Sequence, residues 1–179
     1  MTAVFLYGAA DRIVISWSWI MDYKAEFLDV LAGLAQALDL PEITAGEDGS
    51  SAVVVIDDFE VVLNCLETEN LLLFTVVAPL PENGRQELLE TLMDANTFYY
   101  KTQGFTLAAR ADTGVTLQGM MPLRMLDRNS MAAYVQNFVN VAEYWQEFCK
   151  NAASEGTAEP QPSSEVLPGD ILNIFNFRV

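Results

Sequence analysis

Asp57, Asp58 and Glu60 are the first residues in this chain whose types suggest chemistry. Clustered carboxylates are what a hard divalent cation or a general acid–base pair requires. Their spacing points elsewhere. A cation cage draws several oxygen ligands from set intervals, whereas two adjacent aspartates between apolar runs supply the backbone geometry of a tight turn. Asp94, Asp112 and Asp127 read likewise as a helix-end, a hairpin and a loop acid. The chain contains no His, which excludes a Ser-His-Asp triad, a Cys-His pair and an imidazole metal ligand. Cys65 and Cys149 lie far apart with no CxxC, and read as small buried apolar groups in a reducing compartment. GxxxxGK, GxGxxG and GxSxG are all missing from the sequence. No catalytic residue, metal ligand or cofactor is assigned. The chemistry left is that of binding. Met120, Met121, Met125 and Met131 are either core filling or an adaptable contact surface.

The 179 residues carry 9 Lys+Arg against 25 Asp+Glu, a formal net charge of −16, with 51% hydrophobic residues. That length and apolar content suit one compact α+β domain with tails. The charge repels phosphate backbones, so no nucleic acid is expected as a partner, while basic protein partners are mildly favoured. No membrane span is expected. The most apolar early stretch, 13–21 (IVISWSWIM), is far short of the roughly 20 residues a spanning helix needs. It also makes a poor signal peptide, with only Arg12 ahead of it, Asp11 beside that, and no small-residue cleavage site after it. Residues 1–21 are left as an N-terminal extension, and Met21 is an alternative start.

The elements that must position any binding surface follow from periodicity. Tyr23, Phe27, Val30, Leu31, Leu34 and Leu38 recur at three- and four-residue steps, predicting a helix from Asp22 to the break at Pro41. A Gly- and acid-rich turn over 45–51 precedes three short Val-rich runs, 52–56, 59–66 and 71–78, which predict an antiparallel meander. Runs so continuously apolar need a second cover, from a helix or from a partner. A second helix is predicted over 82–98. A hairpin over 105–121 turns at Asp112-Thr113-Gly114, and a third helix spans 130–150 with Met131, Tyr134, Val135, Phe138, Ala142, Trp145 and Cys149 on its apolar face. The domain is thus expected over 22–150. A Pro-rich linker follows over 151–169, and an apolar tail, DILNIFNFRV, over 170–179. An apolar segment on a tether has a high effective concentration at nearby grooves, so this tail is expected to fold back onto an apolar surface patch.

The order α-β-β-β-α-β-β-α, an antiparallel twisted sheet with three helices, resembles the type III secretion chaperones of the Tir-chaperone (CesT-like) family. The likeness rests on Leu38-Asp39-Leu40 closing the first helix, the acidic turn 46–49, and a strand ending at Asp57. It continues with Leu80-Pro81 before the second helix, Leu92-Met93-Asp94-Ala95-Asn96 at its end, and Gly104-Phe105-Thr106-Leu107. Leu117-Gln118 and Pro122-Leu123 follow, then Phe138, Ala142 and Trp145 in the last helix. Asp39 departs from a customary Gly, and Ala108-Ala109 from an expected acid.

The resemblance implies an acidic homodimer in the bacterial cytoplasm, without enzymatic activity, that binds the N-terminal region of a secreted effector in extended form. The secretion apparatus is a further expected contact. By position, the client surface would include Phe27, Leu31, Leu34, Val53, Val55 and Val62. The dimer interface would include Leu88, Leu89, Leu92, Met93, Leu117 and Met120. Two rival classes stand beside it. One is a non-catalytic adaptor or immunity-type protein that binds a folded partner. The other is an enzyme with convergent carboxylates in a deep polar pocket.

Overall fold

The computed structural model describes residues 23–154. Helix α1 (Tyr23–Ala37) leads to three strands, β1 (Ser51–Ile56), β2 (Phe59–Cys65) and β3 (Asn70–Ala78). Helix α2 (Arg85–Ala95) follows, then β4 (Thr106–Arg110), β5 (Gly114–Pro122) and the long helix α3 (Arg128–Ser154). The strands form one sheet in the order β1-β2-β3-β5-β4. The α+β class and the element order match the expectation. The extension 1–21, the tail 170–179 and its fold-back, and the linker beyond Ser154 lie outside the described residues. Residues 151–154 belong to α3 and not to a linker.

Local chemistry explains the element ends. α1 closes in a Schellman motif: Leu40 N–H donates to the Ala35 carbonyl (2.9 Å) and Asp39 N–H to that of Gln36 (3.3 Å). This places Asp39 in the left-handed region, φ 54°, which favours Gly. The aspartate therefore keeps the helix exit at a conformational cost. Asp57 takes the same region, φ 52°, in the two-residue turn between β1 and β2, so the paired aspartates serve the turn. α3 starts two residues earlier than its periodicity indicates. Asp127 Oδ1 accepts from the N–H groups of Asn129 (2.9 Å) and Ser130 (2.7 Å), and Ser130 Oγ accepts from Asp127 N–H (2.7 Å). That reciprocal pair is a capping box.

α2 is shorter than predicted. It ends at Ala95, and a 3-10 turn over Thr97–Tyr99 follows, with Phe98 at φ 57°. Asn96 still has helical backbone angles, and the path breaks where Phe98 and Tyr99 enter the left-handed region, at φ 57° and 59°.

Two compact units divide these elements. The first holds the described chain through Thr75 together with Gln118–Val139. Its core is the α1 stripe Phe27, Val30, Leu31 and Leu34 with Val61, Leu63, Leu71 and Leu73 of the sheet and Met131, Val135 and Phe138 of α3. Gly33 lets α1 approach the start of α3, since a Cβ there would strike the Arg128 backbone. The second unit holds Val76–Leu117 and the chain from Asn140. Its buried residues include Leu88, Leu92, Ala95, Phe105, Leu107, Val115, Leu117 and Trp145. Gly114 brings the start of β5 against the Ala78 carbonyl, where no side chain fits. Among the described residues, no helix is long and apolar enough to cross a membrane.

Candidate functional site

β1 is an edge strand, and its alternation decides what it offers. Ala52 and Val54 point into the core, while Val53 and Val55 are 57% and 67% exposed. The register Val53↔Val62 and Val62↔Phe74 extends this outer face across three strands as the row Val53, Val62, Phe74. Val62, Leu72 and Phe74 on that face are half-buried. Among the described residues this apolar sheet surface has no full cover.

The edge itself is also open. In an antiparallel ladder a residue's N–H and C=O point to one side, and the side alternates along the strand. The Ser50 carbonyl accepts from Cys65 on β2 (2.6 Å), and the Ser51 carbonyl accepts from Gly46 on the other side (2.7 Å). By that alternation Val53 and Val55 direct their N–H and C=O groups away from β2. These two residues therefore present both apolar side chains and ladder-forming backbone.

Two clefts flank the strand, the first mainly apolar and the second of mixed lining. One, of about 260 Å³, lies between the end of α1, the first turns of α3 and the end of β1, lined by residues such as Leu34, Leu38, Ile56, Ala132 and Val135. The other, of about 390 Å³, separates residues 40–44 from Val53, Val54 and Val55. The exposed charges on the same unit around this edge are acidic: Glu42, Asp57, Asp58 and Glu60.

The opposite edge strand, β4, is treated differently. Asn96 Nδ2 donates to the Leu107 carbonyl and Leu107 N–H donates to Asn96 Oδ1, both at 2.9 Å. One side-chain amide thus substitutes for a neighbouring strand. On the same unit Met93 (72%), Phe98 (62%) and Tyr100 (65%) are exposed at and beyond the end of α2.

Asp29, Asp94, Asp112 and Asp127 serve structure. Arg128 pairs with Asp29, tying α3 to α1 within the first unit, and this hydrogen bond lowers the Asp29 pKa. Arg110 pairs with Asp112 (2.9 Å) and Lys101 with Asp94 (2.9 Å). Hydrogen bonds from Ser130 hold the Asp127 carboxyl low. Burial pushes the Cys149 thiol up to about 11, so it is a poor nucleophile at neutral pH. Among the described residues, no group of three His, Cys, Asp or Glu side chains is arranged to hold a metal ion.

The structure therefore sorts the predicted residues. Val53, Val55 and Val62 come together on the outer face of β1 and β2. Phe27, Leu31 and Leu34 do not join them, being 0%, 2% and 1% exposed. The full α1 stripe is consumed by the core, because one helix face cannot pack on the sheet and meet a partner at once. Leu34 reaches only the wall of the smaller cleft. Of the residues expected at a dimer interface, Leu88, Leu92 and Leu117 are buried within their own chain, Leu89 is half-buried, and Met93 and Met120 are exposed. Sequence reasoning missed Leu40, Ile43 and Thr44. A signal was the short polar–apolar alternation Glu42-Ile43-Thr44-Ala45 after Pro41.

The Tir chaperone protein (CesT) family matches residues 29–146. No curated protein sequence matches the chain. Among solved structures, the ExsC-ExsE complex has a chain 26% identical to this one at TM-score 0.59, covering 72% of this chain and 97% of that one. The HopA1-SchA chaperone-effector complex gives 17% identity and TM-score 0.56, covering 69% and 95%. The Yersinia pestis type III secretion chaperone SycH, in complex with a stable fragment of YscM2, gives 21% and 0.53, covering 67% and 96%. The last two support the fold alone. With the family match spanning more than half of its length, the chain belongs to the Tir chaperone (CesT) family.

Proposed function

We propose that this member of the family binds the N-terminal region of a type III secreted effector as an extended segment and keeps it competent for secretion. The observation that carries this reading is the open edge of β1. Val53 and Val55 combine exposed side chains with outward backbone groups. An extended client gains backbone hydrogen bonds there whatever its sequence, at about 1 kcal/mol net each. Its apolar side chains find the outer sheet face and the two flanking clefts. Glu42, Asp57, Asp58 and Glu60 favour clients with basic residues flanking the apolar ones. A segment held this way has no fold to lose before export.

The chain acts as a non-catalytic homodimer in the bacterial cytoplasm. Met93 and Met120 are the exposed members of the expected dimer set, and Met repacks readily against a second copy.

Affinity capture of the tagged full chain from its source cell, under secretion-inducing conditions and beside Val55→Pro, tests the reading. Proline removes an N–H that β2 does not use, so the β1–β2 ladder persists while a partner loses a donor. Wild type should retain secreted proteins through their N-terminal regions, and the variant should retain about ten-fold less, or roughly 1.4 kcal/mol. Equal retention by both, or capture of folded cytosolic proteins alone, overturns it and favours an adaptor.

A further inference from the structure

We infer that residues 42–45 are a latent sixth strand, which zips onto the open edge of β1 and is peeled away when a partner strand pairs there. The segment already touches β1 at one point. Ala45 and Ala52 form an isolated antiparallel bridge, and Gly46 N–H donates to the Ser51 carbonyl (2.7 Å). Beyond that point the chain diverges, and the cleft of about 390 Å³ is the gap it leaves, walled by Leu40, Glu42, Ile43 and Thr44 against Val53, Val54 and Val55.

Continuing the bridge in register sets Thr44 opposite Val53, Ile43 opposite Val54 and Glu42 opposite Val55. Three features fit that register. First, Thr44 and Glu42 meet the two residues whose N–H and C=O face outward, so each forms a reciprocal hydrogen-bonded pair. Second, Pro41, which has no N–H, falls opposite Ile56, whose groups face β2, so its missing donor costs nothing. Third, the side chains alternate correctly. Ile43 and Ala45 align with Val54 and Ala52 on the core face, and Glu42 and Thr44 with Val55 and Val53 on the solvent face. A register slipped by one residue would reverse all three.

Both ends of the segment are fixed, so closure is a short hinge. The Schellman turn at Asp39 and Leu40 holds one end. At the other, Asp48 accepts from Ser50 N–H (3.0 Å) and its carbonyl from Lys24 Nζ (2.7 Å). Closing gains hydrogen bonds and loses the freedom of about three residues, effects of similar size, so both states are populated. The closed state shields an edge that would otherwise pair with any strand. Its consequence for clients rests on the strand-addition reading proposed above: a partner must outcompete residues 42–45, which disfavours weakly pairing segments.

Amide hydrogen exchange on the client-free full chain tests the zipper without invoking any client, so the two readings fail separately. Val53 and Val55 should exchange on the order of ten-fold more slowly than free-peptide rates. Thr44→Pro, which deletes the central donor of the latent strand, should abolish that slowing while leaving the amides of β2 and β3 unchanged. Thr44→Val, which keeps the N–H, should preserve it. Free-peptide rates at Val53 and Val55 in the wild type, or protection unaffected by Thr44→Pro, would overturn the inference.

Discussion

β1 and β4 both lie at the margin of the sheet, and each has to dispose of unpaired backbone groups. β4 does so internally. Asn96, at the end of α2, gives Leu107 one donor and one acceptor from a single side chain. β1 does so only in part. Gly46 and Ala45 cover its first residues, and Val53 and Val55 are left facing a cleft. An exposed edge strand is a hazard that most proteins blunt. Among the described residues, Leu107 of β4 is capped by a side chain, whereas Val53 and Val55 of β1 have no such cap.

The largest test of that contrast is to remove the cap. Asn96→Leu leaves the Leu107 N–H and C=O unsatisfied, at an expected cost of about 2–3 kcal/mol read from the urea midpoint. It also creates a second open edge, so concentration-dependent association by light scattering should accompany the loss. A variant that is equally stable and monodisperse would show that Asn96 does not guard β4.

A smaller effect concerns the frame of the β1 edge. Asp127 caps α3, and hydrogen bonds from Ser130 lower its carboxyl pKa. A carboxylate whose folded pKa is depressed contributes its full stability above the unfolded value of about 3.9, and loses it as pH falls through the folded value. Asp127→Asn keeps the cap but cannot titrate. Wild type should therefore hold a constant stability difference from this variant above about pH 5 and lose ground below about pH 4. Parallel curves down to pH 2 would contradict the assignment.

The smallest effect is at the helix exit that launches residues 40–45. Asp39→Gly relieves a left-handed side chain but adds freedom to the unfolded state, so a net gain of about 0.5 kcal/mol is expected. Calorimetry should show a slightly higher Tm. A clear loss would mean that the Asp39 side chain contributes more to the turn than its backbone angle costs.

Much of the fold was legible because local rules and tertiary packing agree there. The Val-rich runs became strands within one residue at each end, and Asp57-Asp58 and Asp112-Thr113-Gly114 became turns. Which apolar residues stay exposed was legible only in part. Val53, Val55 and Val62 lie on one face by the period of two, and any strand at that position would display them so. Phe27, Leu31 and Leu34 illustrate the limit: periodicity identifies an apolar helical face without saying whether core or partner takes it.

The sequence by itself determined the element order, the turns, the acidic surface and the lack of any histidine-based chemistry, since all of these depend on residue types and near neighbours. Tertiary structure decided which apolar residues remain outside, which edge is capped and which is open. Asn96 meets Leu107 across 11 residues, and Ala45 meets Ala52 only after the acidic turn closes. Contacts of that kind arise from the path of the chain, and neither partner's type or local period announces them.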